Sequence, residues 1–141
     1  VAFATLTCVR VVQLNATGRA APGAPLVRLT ATLAAPHHRT ARPSVAWRRH
    51  SDVEARDARA SGRLALPCLA VSYGSSIVVY TASPDTLLQT ASTPNAGGRS
   101  PFVALGWLGA QLLLAAHADS ADGVVLIDPY ASLVLQRIVL P

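Results

Sequence analysis

The sequence predicts an all-β chain folded as antiparallel, four-stranded meanders. Three observations carry that prediction. Apolar runs of strand length follow one another, rich in Val, Leu and Ile and bounded by Gly, Pro, Asp and Ser. In the last third the linkers are far too short for parallel crossovers, which need a dozen or more residues. One plan recurs along the chain: an apolar strand, a turn, and a strand carrying Val-Val.

The last third shows the plan most clearly. Residues 102–107, 111–117, 123–128 and 133–140 are apolar runs. Asp119-Ser120-Ala121-Asp122-Gly123 separates two of them with turn chemistry, because Asp and Ser bond the local backbone and Gly accepts positive φ. Asp128-Pro129 ends another, because Pro lacks the N–H a central strand needs. A rival reading makes residues 102–118 a membrane helix. That stretch sits at the lower length limit for crossing ~30 Å of hydrocarbon. It contains Gln111, His117, Gly106 and Gly109, and a second apolar run follows at once, so strands are preferred.

Earlier segments read the same way. Residues 1–14 fit two strands with a tight turn near Thr7-Cys8, and Val9, Val11 and Gln13 fall on one face of the second. Residues 15–25 are a Gly/Pro/Ala loop, 26–33 a strand and 34–42 a polar connection. Pro43-Ser44 opens a short run, Val45-Ala46-Trp47. Residues 48–63 are Arg-rich with acids interspersed, the pattern of a solvated loop or short surface helix. Residues 64–80 read as two strands joined by a hairpin at Gly74-Ser75, entered at Pro67. Ser83-Pro84-Asp85 is a turn, and 87–92 a strand.

Stacking these pieces places Val11-Val12, Val78-Val79 and Val124-Val125 in corresponding positions, and pairs Trp47 with Trp107 one strand earlier. The last two Val-Val pairs stand about one blade apart, a four-stranded blade taking ~40–45 residues. Ile127-Asp128 closes a third strand where WD repeats place Trp-Asp. The expected fold is therefore an incomplete, WD-repeat-like β-propeller. Residues 1–33 supply three strands of a first blade, and 34–92 a second blade with an insertion at 48–63. Residues 93–101 form a loop, and 102–141 a third blade. Closed propellers have about 4–8 blades. With no Met and a first residue inside a strand-like run, the chain is expected to be a piece of a larger protein.

Composition excludes disorder, since 51% of residues are apolar and 13% charged. The 12 basic residues are all Arg and scattered, so the net charge of +5 argues only weakly for nucleic acid. Cys8 and Cys68 are expected as two small buried or half-buried thiols of an intracellular protein; a disulfide between them has no support. No secretory signal is read in residues 1–14, and Asn15-Ala16-Thr17 is a chance-level sequon. No Cys or His pair has zinc-ligand spacing. His117, Asp119 and Asp122 lie close enough to suggest a metal site, but turn-forming Asp explains them more simply. No nucleophile elbow, P-loop or dinucleotide fingerprint occurs. Neither catalytic, cofactor-binding nor metal residues are assigned, and a non-enzyme without cofactor is expected.

Certain residues carry a resemblance. They are Pro43, Ser44, Val45 and Trp47; then Pro67, Leu69, Ala70, Gly74, Ile77 and Tyr80; then Trp107, Leu108, Gln111, Leu112 and Asp128. Their order resembles the propeller region of the vacuolar protein sorting-associated protein 8 family, CORVET-specific subunits of an endosomal tethering complex; related HOPS subunits have similar propellers. The resemblance implies a scaffold in endosomal vesicle tethering and vacuolar or lysosomal protein sorting. Its partners would be other tethering subunits, an early-endosomal Rab GTPase and the remaining blades of its own propeller. It would be cytoplasmic, peripheral on endosome membranes only through those partners. One alternative is a basic surface for nucleic acid or anionic lipid built from Arg39, Arg42, Arg48, Arg49, Arg56, Arg59 and Arg63. Another is an extracellular or periplasmic propeller enzyme.

Overall fold

The computed structural model describes residues 2–4, 8–14, 27–34, 42–48, 50–62, 66–82, 86–96 and 98–139. The first sheet holds β1 (Ala2–Ala4), β2 (Cys8–Leu14) and β3 (Val27–Ala34). The second holds β4 (Val45–Arg48), β5 (Cys68–Tyr73), β6 (Ser76–Ala82) and β7 (Leu87–Thr93). The third holds β8 (Phe102–Leu108), β9 (Leu112–His117), β10 (Val124–Asp128) and β11 (Leu133–Ile138). Every ladder is antiparallel, and every strand pairs with its chain neighbour. The all-β expectation therefore holds. The one helix among the described residues, α1 (Asp52–Ala60), lies in the Arg-rich insertion between β4 and β5.

Residues 102–118 form β8 and β9, which excludes the membrane-helix alternative. No helix among the described residues is long and apolar enough to cross a membrane. The β5–β6 hairpin turns at Gly74-Ser75 as its residues dictate, with Gly74 at φ 62°. β7 extends through Thr93, one residue into the stretch read as loop. Thr7, residues 15–25 and the Ser83-Pro84-Asp85 turn lie outside the described residues.

The three sheets share a defect. Between β2 and β3 the register passes from Val11↔Ala31 to Val12↔Leu29, leaving Thr30 without a partner. Between β6 and β7 it passes from Val79↔Ala91 to Tyr80↔Gln89, bypassing Thr90. Between β10 and β11 it passes from Leu126↔Gln136 to Ile127↔Val134, bypassing Leu135. Each sheet thus carries one β-bulge in its last strand, and bulges pin register. They make Val11, Val79 and Leu126 equivalent. This corrects the alignment of the Val-Val pairs, which slips by one residue in β6 and by two in β10. A one-residue slip moves a side chain to the opposite face. Val79 faces the third sheet, whereas Val78 faces the first.

The sheets stack face on face. Val9 and Val11 of the first meet Leu69, Val71 and Tyr73 of the second. On its other side the second sheet sets Cys68, Ala70, Ile77 and Val79 against Leu113, Ala115, Val125 and Ile127 of the third. β5 serves both cores with alternate residues, so it is buried along its whole length. Its one polar member, Ser72, stays satisfied by accepting from the Ser44 N–H at 2.8 Å. The first strands lie side by side: β8 runs against β4, and β4 touches β1. Trp47 and Trp107 both pack against the cores. The third sheet's remaining face carries Leu112, Leu114, Ala116, Val124 and Leu126, which are half-buried and belong to neither core.

Candidate functional site

Antiparallel meanders sort their turns. The β8–β9 and β10–β11 turns fall at one end of the sheets together with the β4–β5 insertion. The β5–β6 and β9–β10 turns fall at the other. Each end has its own polar cluster.

At the first end α1 begins with a complete capping box. Ser51 Oγ accepts from the Glu54 N–H at 3.3 Å, while Glu54 Oε2 accepts from the Ser51 N–H at 2.8 Å. The cap fixes the Glu54 carboxylate, whose Oε1 then accepts from Arg48 Nη2 at 2.8 Å. The Ser51 backbone N–H, helped by the Arg48 guanidinium, holds the Glu54 carboxyl below its usual range. His50 Nε2 lies 2.8 Å from the Leu66 carbonyl, which can only accept, so Nε2 carries the proton.

Arg48 and Glu54 form one wall of an open groove of about 670 Å³. Gln111 of the β8–β9 turn and Asp128 and Tyr130 of the β10–β11 turn complete it. Asp128 Oδ1 accepts from the Tyr130 and Ala131 N–H groups, each at 3.0 Å, which sets the turn and the position of the Tyr130 ring. The Tyr130 hydroxyl donates to Cys68 Sγ at 3.8 Å, and partial burial with this bond pushes the phenol above its usual range. No disulfide joins Cys8 and Cys68.

At the opposite end Asp122 holds the chain segment that enters β8. Its Oδ2 accepts from the Arg99 N–H at 3.1 Å, the Ser100 N–H at 2.8 Å and the Ser100 hydroxyl at 2.6 Å. Those bonds lower its pKa to about 2, the Ser100 hydroxyl contributing most. Arg137 lies 3.8 Å from its other oxygen. His117 is buried against the Phe102 ring, centroids 4.2 Å apart, with Nδ1 2.8 Å from the Ser100 carbonyl. Asp119 Oδ1 caps its own turn by accepting from the Ala121 N–H at 2.9 Å. The three residues that suggested a metal site are thus brought to one end, yet engaged with backbone. Among the described residues no group of three or more His, Cys, Asp or Glu could hold an ion.

The chemistry of both clusters is that of placement. In the groove the charged groups answer one another or the backbone, which leaves a polar, aromatic-walled surface suited to hydrogen bonding. Of the Arg residues that could form a basic surface, Arg42, Arg56 and Arg59 are exposed, while Arg48 is committed to Glu54. Arg39, Arg49 and Arg63 lie outside the described residues. No residue lining the groove is marked as a site by the sequence alone. Ser51 and Glu54, three apart before an amphipathic stretch, were the one signal that could have placed part of it.

Comparison with known proteins finds no matching family model, no matching curated protein and no matching solved structure.

Proposed function

We propose that the three sheets are blades of a WD-repeat-like β-propeller and that the chain acts as a non-catalytic protein-interaction scaffold in endosomal vesicle tethering. One observation carries the architectural half. The sheets repeat the same last-strand bulge and stack face on face, with their first strands side by side. A repeat of this kind buries its core only between neighbours. The third sheet's other face, Leu112, Leu114, Val124 and Leu126, which meets neither core among the described residues, suits a further blade.

The trafficking half is supported by the residues that resemble vacuolar protein sorting-associated protein 8. They include Trp47 and Trp107, Gly74 of the hairpin and Asp128 of the groove's turn. On this reading the groove end, with its insertion helix, faces protein partners: tethering subunits or an early-endosomal Rab GTPase. The scaffold is then cytoplasmic and reaches endosomes through those partners. Titrating the purified chain with an early-endosomal Rab GTPase, loaded with GDP or a non-hydrolysable GTP analogue, tests this. Nucleotide-dependent binding that is lost in a Tyr130→Ala, Gln111→Ala variant is expected. No GTPase binding, with salt-sensitive retention on heparin or anionic vesicles, would replace the reading with a basic surface.

A further inference from the structure

Two tryptophans occupy equivalent places and differ in one respect. Trp107 pairs with Leu113, which lies beside Ile127; Trp47 pairs with Leu69, which lies beside Tyr80. The bulges make Ile127 and Tyr80 equivalent, so the tryptophans correspond. Trp107 Nε1 donates to the Ala46 carbonyl at 3.1 Å, across to the first strand of the preceding sheet. Trp47 Nε1 is buried and has no partner. A buried, unpaired donor is costly enough that a native fold rarely keeps one.

The same equivalence says where its partner belongs. Val11, Val79 and Leu126 align, so Ala2 in β1 corresponds to Ala70 in β5 and Leu114 in β9. β5 and β9 each have a first strand on their outer side, β4 and β8. Among the described residues β1 has none; it is the edge of a three-stranded sheet. The residue that accepts from Trp107 is Ala46, which pairs with Ala70. The acceptor for Trp47 therefore belongs opposite Ala2.

We infer that the edge of β1, unpaired among the described residues, is a strand-acceptor site for one extended strand of the β4 and β8 kind. The strand runs antiparallel to β1, and its carbonyl opposite Ala2 accepts the Trp47 indole N–H. An edge strand offers its unpaired backbone groups as a template, and strand addition satisfies them. The occupant is apolar on both faces, as β4 and β8 are within their sheets. The inference rests on the blade reading and deepens it by naming what completes the first sheet.

The test uses the full chain, labelled with ¹⁵N, and a peptide of residues 100–109 with a solubilising tail. Indole N–H exchange is followed for both tryptophans. On saturation with peptide, Trp47 exchange is expected to slow at least tenfold, on the order expected for gaining a buried hydrogen bond. Trp107 is expected to be protected throughout. A peptide carrying A104P and G106P should not bind, and Trp47→Phe should weaken the native peptide about fivefold. If Trp47 stays unchanged while Trp107 is protected, the edge site is wrong and the blade stacking stands. If Trp107 is also unprotected, the stacking itself fails. Dimers of the chain joined through β1 that the peptide cannot displace would also overturn the inference.

Discussion

Asp122 and Ser100 are joined twice through one oxygen. Asp122 Oδ2 accepts from the Ser100 N–H at 2.8 Å and from its hydroxyl at 2.6 Å. The pair ties the β9–β10 turn to the segment entering β8, so that one carboxylate closes the first and third strands of a sheet at the same end. In the second sheet the segment entering β4 is tied instead to the second strand, the Ser44 N–H donating to the Ser72 hydroxyl at 2.8 Å.

The Asp122 tie has a pH signature. Its pKa is about 2 in the folded chain, below the value near 3.9 of an unfolded Asp. A depressed folded pKa adds stability above the unfolded value and loses it as pH falls through the folded one. Chemical denaturation of the native chain and of Asp122→Asn should therefore differ by a constant amount above pH ~5, a gap that narrows between about pH 4 and pH 2. A gap independent of pH across that range would remove the carboxylate from the account.

Gly123 is required twice over. Its φ is +67°, and a Cβ there would meet the Ile138 carbonyl oxygen. Gly62 has the same φ with nothing within 4 Å. Gly62→Ala should cost about 1–2 kcal/mol, the left-handed penalty alone. Gly123→Ala should cost a further ~1–3 kcal/mol for the overlap and loosen the β10–β11 end. Equal melting shifts for the two variants would contradict the packing of Gly123 on β11.

Leu113 and Leu114 are neighbours on opposite faces of β9. Leu113 is fully buried against the second sheet; Leu114 is half-buried on the uncovered face. Leu113→Ala should cost about 2–5 kcal/mol, as for a core Leu. Leu114→Ala should cost less than about half as much, since little surrounds it to leave a cavity. Similar losses, measured by urea unfolding, would mean the second face is covered too.

Much of the strand layout was legible in the residues. Gly74-Ser75 between two apolar runs specifies a hairpin whatever packs on it, and Pro67 fixes the entry to β5. The face each residue serves was not legible. β5 is buried on both sides, so its sequence shows no alternation and CLAVSY cannot say which core takes Leu69 and which Ala70. The bulges at Thr30, Thr90 and Leu135 have no local marker, and without them the Val-Val pairs align by identity rather than by register. Asp122 reads as a turn former, yet its main partners lie at Arg99 and Ser100, beyond an intervening hairpin. The orphan indole of Trp47 emerges only once Trp107 is seen bonded to Ala46.

Methyl–methyl nuclear Overhauser contacts between the second and third sheets test the stacking most directly. The account predicts cross-peaks from Ile77 and Val79 to Leu113, Val125 and Ile127, and none from Leu114 or Leu126 to the second sheet. Cross-peaks from Leu114 or Leu126 to Ile77 or Val79 would show that β9 and β10 present the opposite face, and would contradict it.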